Sequence, residues 1–190
     1  MSSTTHTSGL VRQSLPKGLR ALIGVVRGLT LLGAFALCVV PVAFWCSPGW
    51  VAEDGPALAS LHGHPVVIDA RARLWGAVAS APGVALGLAA LAQLWALFSE
   101  YDAGRVFGVA AVRHMGRFAW FMLASALLVP LQRAAIGVAL TLGNPAGQRV
   151  LVLGINWNDY VAILCTAVLL AITAVMTEAA RLAEENESFI

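Results

Sequence analysis

Residue types that commonly carry chemistry are sparse in this chain. Its four histidines are His6, His62, His64 and His114, each in a tail or a connecting segment. His62-Gly63-His64, with Asp69 nearby, is the grouping closest to a set of metal ligands. Two imidazoles two positions apart do not share a helix face, and spacing supplies no third ligand. The segment therefore reads as a polar loop, and no metal is assigned to it. Cys38 and Cys165 lie within apolar runs, where a thiol behaves as a small hydrophobe. Cys38 and Cys46 would stand about 12 Å apart along a helix, too far for a disulfide. No Ser-His-Asp order, glycine-rich phosphate loop, His-Glu-x-x-His or Cys-x-x-Cys pattern occurs. No histidine lies within an apolar run to ligate a haem. The expectation is a protein that is not an enzyme and holds no cofactor.

Polar residues inside the apolar runs carry more information, because they are costly in hydrocarbon and need a partner or a cavity. They are Arg27, Gln93, Arg133 and Asp159. Arg27 is close enough to the start of its run to reach the surface along its own stem. Arg133, in the outer half of the third run, lies at a depth that approaches Asp159 at the outer end of the fourth. An ion pair stitching two helices is the expectation. A transporter of ions or small molecules would also use such groups, and this is the alternative reading.

The elements that position these residues follow from composition. Of 190 residues, 59% are hydrophobic and 12% charged, against about 25% charged in soluble domains. So few charges cannot cover a soluble globule, and the net charge of +2 does not suit direct nucleic-acid binding. The fold class expected is all-α, an integral membrane bundle of four transmembrane helices. They span about 21–45, 74–98, 118–142 and 160–177, between a flexible cytoplasmic tail at 1–20 and an acidic cytoplasmic tail at 179–190. Lys and Arg near the helix ends set the orientation. Arg12, Lys17, Arg20, Arg105, Arg113, Arg117 and Arg181 fall on one side, and only Arg71, Arg73 and Arg149 on the other. Both termini are therefore expected in the cytoplasm. All six tryptophans fall near helix ends, as an amphipathic indole prefers. The outer connection Cys46–Arg73 holds Pro48, Pro56 and Pro65 with Gly49, Gly55 and Gly63, which argue against a continuous helix. Shortening Pro56–Pro65 is expected to be tolerated. Gly24 and Gly28, like Ala79, Gly83 and Gly87, have the spacing that lets helices approach closely. Pro41, Pro82 and Pro130 are candidate kinks.

Two segments fall on the cytoplasmic side of this topology. The inner loop contains Tyr101, Gly104, Arg105 and Phe107 in a Tyr-x-x-Gly-x-x-Phe element, followed by Arg113 and Arg117. The C-terminal stretch carries Glu178, Arg181, Glu184 and Glu185 and ends Ser188-Phe189-Ile190. Opposite charge suggests that loop and tail clamp together, or form one docking face. Together the two segments resemble the bacterial membrane family known as domain of unknown function 2975. Its members are similar in their four helices, their Gly-x-x-Phe inner loop and their Leu-x-x-Glu-Asn-like acidic ending. The resemblance covers most of the chain after about Leu22, and the Ser-Phe-Ile ending departs slightly from the usual Thr and Val. It implies a multi-pass protein of the bacterial inner membrane and no reaction; some members lie beside small helix-turn-helix regulators. The partners expected are the lipid bilayer and a protein in the membrane or at the cytoplasmic face, as for an accessory or regulatory subunit.

The charge asymmetry makes the orientation testable. With the native cysteines replaced, a single cysteine at Ser60 should react with an impermeant thiol reagent on intact cells. One placed in the C-terminal tail should react only after permeabilisation, and the reverse pattern would invert the topology.

Overall fold

The computed structural model describes residues 17–61, 63–105, 108–145 and 147–187. These form α1 (Lys17–Cys46), α2 (Pro48–Leu58), α3 (Ala70–Asp102), α4 (Val109–Thr141) and α5 (Trp157–Glu187), with no strand among the described residues. The chain is all-helical, and α1, α3, α4 and α5 are long and apolar enough to cross a membrane. About 20 residues suffice for that, and each of the four is longer. Asp69 starts α3 by accepting the Ala72 amide at 2.6 Å, the favoured use of an aspartate before a helix. At the other end Gly104 takes φ +80°. There the Arg105 amide reaches the Glu100 carbonyl and the Gly104 amide that of Tyr101, both at 3.0 Å. This double bond pattern is a Schellman ending, and the left-handed residue it needs is most cheaply glycine.

The long helices pack in the row α1–α3–α4–α5, with α4 the most buried; no substantial packing joins α1 to α5 among the described residues. Consecutive long helices run antiparallel, so both chain termini lie at one end (the termini end) and the connections 47–69 and 142–156 at the other (the loop end). All four helices run uninterrupted, through Pro41, Pro82 and Pro130 included. Glycines mark the contact points. Leu37 of α1 packs on Gly87 and Leu91 of α3 on Gly33. Gln132 of α4 lies across Gly83, and Thr173 of α5 reaches Gly116. Gly24 and Gly28 meet nothing within 4 Å. The small-residue spacing in α3 is thus used within the chain, while the one in α1 is left open.

The connection Cys46–Arg73 differs from its expected form. It contains the helix α2, with Pro48 at a first-turn position where no amide bond is lost. Val51 and Gly55 face Leu140 of α4. This packing, rather than propensity, holds eleven residues helical. The helix ends in the same double-bonded way as α3, but on Ser60, at φ 57°. The main core lies here, formed by Phe44, Trp45, Val51, Ala59, Leu61, Ala72, Ile136 and Leu140. Ala59 and Leu61 are fully buried. Shortening Pro56–Pro65 would therefore remove core residues, and the expectation of tolerance is corrected. Asn144 ties this cap together, its side-chain amide donating to Pro65 O at 2.7 Å and Gln148 O at 3.0 Å.

The tightest helix contact is Trp45 on Gly76, where a β-carbon would overlap the indole. Gly76→Leu should lower the thermal stability of the detergent-solubilised protein, by about 1–3 kcal/mol as over-packing usually costs. Gly24→Leu, with open space around it, should not lower it, since a better helix former replaces glycine without a clash. Equal losses would mean that the indole does not rest there.

Candidate functional site

Arg133 and Asp159 are brought together by the antiparallel contact of α4 and α5. Arg133 Nη1 donates to Asp159 Oδ2 at 2.9 Å, and Nη2 to Oδ1 at 2.8 Å. This parallel fork is the strong form of the pair. Asp159 is 4% exposed and the Arg133 side chain 15%. The start of α5 completes the site. The Asn156 amide donates to Asp159 Oδ2, and the Asp159 amide to Asn156 Oδ1, each at 2.9 Å. This reciprocal pair is a capping box with Asn and Asp in the usual places of Ser and Glu. Arg133 Nη1 also reaches the Gly154 carbonyl at 3.4 Å, holding the extended segment that enters α5. Each carboxylate oxygen thus has a donor. The arrangement staples two helices and leaves neither group poised as a free acid or base.

The expected cytoplasmic face maps to the termini end, where the structure pairs its charges locally. Arg105 Nε donates to Glu100 Oε2 at 2.6 Å across the α3 ending. Glu100 raises the Arg105 guanidinium further above its usual range, so Arg105 stays charged at every relevant pH. Arg181 pairs with Glu178 one turn earlier on α5. Among the described residues no ion pair joins the inner loop to α5. Tyr101 packs edge-on against Phe98, with ring centroids 5.5 Å apart. Arg113 and Arg117 are exposed, one turn apart on α4. Phe107 lies outside the described residues, as do the side chains of Glu184 and Glu185, whose backbone continues α5.

Several polar contacts go beyond the sequence reading. Arg27 lies 4.2 Å from the centroid of the Trp95 ring and 3.4 Å from Asp102 Oδ2, so it joins α1 to α3 rather than only reaching for the surface. A cation at an aromatic face is attracted by the ring quadrupole. His114 Nδ1 meets Gln93 Oε1 at 2.9 Å, joining α4 to α3. Trp45 Nε1 donates to Ser80 Oγ at 2.9 Å, and Ser80 Oγ to the Ala77 carbonyl at 2.9 Å. The available signal was each polar residue's place in an apolar run; its partner depends on how two helices are rotated, which one chain's pattern does not state. Among the described residues no group of three His, Cys, Asp or Glu side chains comes together, and His62 lies outside them.

The family model described as "Protein of unknown function (DUF2975)" matches residues 50–190. The chain belongs to that family. The match begins at Trp50, later than the resemblance read from about Leu22, and so takes in α2 to α5 but not α1. No curated protein matches the chain, and no solved structure does.

Removing one member of the buried pair strands the other. Arg133→Ala and Asp159→Ala should each destabilise the protein by about 3 kcal/mol, with the double variant no worse than the poorer single. Asp159→Asn keeps an acceptor for the Asn156 amide and should lose less. Strictly additive losses in a thermal-unfolding cycle would show that the two groups are not coupled.

Proposed function

We propose that the protein is a non-enzymatic accessory or regulatory subunit of the bacterial inner membrane that docks a protein partner on its cytoplasmic face. The observation that carries this is the course of α5. Its apolar span ends at Ala179, yet the helix continues to Glu187, a further turn and more beyond any hydrocarbon. Glu178, Ala179, Arg181 and Leu182 are exposed on it. An amphipathic projection of this kind, acidic with an outward leucine, suits a protein partner better than lipid. Gly116 of α4 contacts Thr173, so the antiparallel register brings Arg113 to the level where α5 leaves the membrane. Arg113 and Arg117 form no ion pair among the described residues. Arg113, Arg117 and Glu178 are all exposed at the termini end. Rim charges of this type set partner choice and association rate more than affinity.

Transport is the weaker reading because the polar groups it would use are already engaged. Gln93 meets His114, Gln132 donates to the Ser80 carbonyl at 3.3 Å, and Arg133 is paired with Asp159. None of them lines the groove between α1 and α3 or the small pocket at the loop end.

Affinity purification from native membranes tests the docking face. Charge reversal at Arg113 and Arg117 together, or deletion of residues 184–190, should leave the protein folded and reduce a stoichiometric partner at least tenfold. His64→Ala, at an exposed loop-end position, should retain the partner. Loss of the partner in the loop-end variant alone would move the functional face to the other end. Recovery of the protein alone, with ligand-dependent thermal stabilisation, would favour transport.

A further inference from the structure

The loop-end halves of α1 and α3 leave a groove of about 390 Å³ between their side chains. Its walls are Leu37, Pro41 and Val42 of α1 and Ala77, Ala81 and Ala85 of α3, among others. The lining is almost wholly hydrocarbon, because its polar atoms are spent on each other: the Trp45 indole donates to Ser80, and Ser80 to the Ala77 carbonyl. The groove runs from Leu37 to Cys46 along α1, about 14 Å at the helical rise. That is about half of a 30 Å hydrocarbon core, or the depth of one leaflet. Its volume is that of about 13 waters at about 30 Å³ each, enough for an extended chain and too little for a helix of about 10 Å diameter.

Charge marks the head of the groove. Arg73 stands one turn above Ala77 on the same face of α3. Its Nη1 lies 3.2 Å from the Cys46 carbonyl and 3.5 Å from that of Trp45, and both of these residues form the groove's end. Among the described residues Arg73 forms no ion pair with a carboxylate. Its Nε is buried without a hydrogen-bond partner. A guanidinium fixed at the edge of the hydrocarbon, unpaired and directly above a one-leaflet apolar channel, complements an anionic amphiphile. We propose that this groove binds one acyl chain of an anionic phospholipid of the loop-end leaflet, with the headgroup phosphate against Arg73. A zwitterionic lipid such as phosphatidylcholine would fill the channel equally, but its ammonium group offsets the phosphate charge, so it would gain less from the arginine. A partner helix would be too wide for it.

The test uses Trp45, which lines the groove, as the sole tryptophan, with the other five replaced by Phe. The protein is reconstituted in phosphatidylcholine vesicles with small amounts of phosphatidylglycerol carrying brominated chains. Quenching of Trp45 should reach half its maximum at a several-fold lower mole fraction than with brominated phosphatidylcholine. Arg73→Gln should abolish that preference, and Arg73→Lys should keep most of it. Ala81→Phe, which fills the channel, should reduce quenching by both lipids. As a check that does not depend on replacing tryptophans, native mass spectrometry of the otherwise unaltered protein should show one retained phosphatidylglycerol, lost in Ala81→Phe. Equal quenching by the two lipids, or a phosphatidylglycerol adduct unaffected by Ala81→Phe, overturns the proposal.

Discussion

Hydrocarbon offers a polar side chain nothing to bond with, and the order of this helical array follows from how that constraint is met. Each neighbouring pair of long helices shares at least one polar contact. Arg27 to Trp95 and Asp102, and Trp45 to Ser80, join α1 to α3. His114 to Gln93, and Gln132 to the Ser80 carbonyl, join α3 to α4. Arg133 to Asp159 joins α4 to α5. The buried threonines Thr30, Thr141, Thr166 and Thr173 need no neighbour, because each hydroxyl donates to a carbonyl four residues earlier. Apolar side chains pack about as well on lipid as on each other, so they give little reason for one helix to choose another. Polar pairs supply that choice.

Shape then allows the polar contacts to close. Trp45 reaches Ser80 because Gly76 leaves room for the indole, and Gln132 reaches the Ser80 carbonyl across the bare backbone of Gly83. A glycine in a helix interior costs roughly 1 kcal/mol relative to alanine in water. Here the cost is offset where a neighbour occupies the space. Gly24 and Gly28 have no such neighbour within the chain, so the outer face of α1 remains smooth and open to the bilayer.

Legibility from the sequence divides along the same line. Four runs long enough to span a bilayer need only composition and length, and both survive without any knowledge of packing. Arg133 and Asp159 stand out because two opposite charges at matching depth have few other means of satisfaction. The turn at Gly104 is readable because a left-handed residue favours glycine. By contrast α2 was hidden, since Pro48, Gly49, Gly55 and Pro56 read as breakers and its helix depends on Val51 and Gly55 meeting Leu140. Arg27 was read from its own depth alone, whereas its surroundings come from Trp95 and Asp102 on another helix. The inner loop and acidic tail were read from net charge alone, and the side chains of Glu184 and Glu185 lie outside the described residues. Glu100 and Glu178 were nearer in sequence to the arginines they pair with, and local pairs cost less chain entropy to form.

The two ends of the array consequently have different mechanical characters. At the loop end α2 and the connections 59–69 and 142–156 are drawn over the helix ends by a buried apolar cluster, by Asn144 and by the Val67 amide bonding the Leu140 carbonyl at 3.2 Å. Such a cap holds the spacing of α1, α3 and α4 constant. At the termini end the described ion pairs are mostly solvent-exposed, with Glu100 and Arg27 the partly covered members, and exposed pairs hold elements together only weakly. Along α5 the Arg133–Asp159 pair staples one end to α4 and Thr173 meets Gly116 further on, while no described ion pair joins the helix to the inner loop. Surfaces that adapt to a partner are drawn from the less stable parts of a structure. The loop end is thus held by buried packing, and the termini end by charges that are mostly exposed.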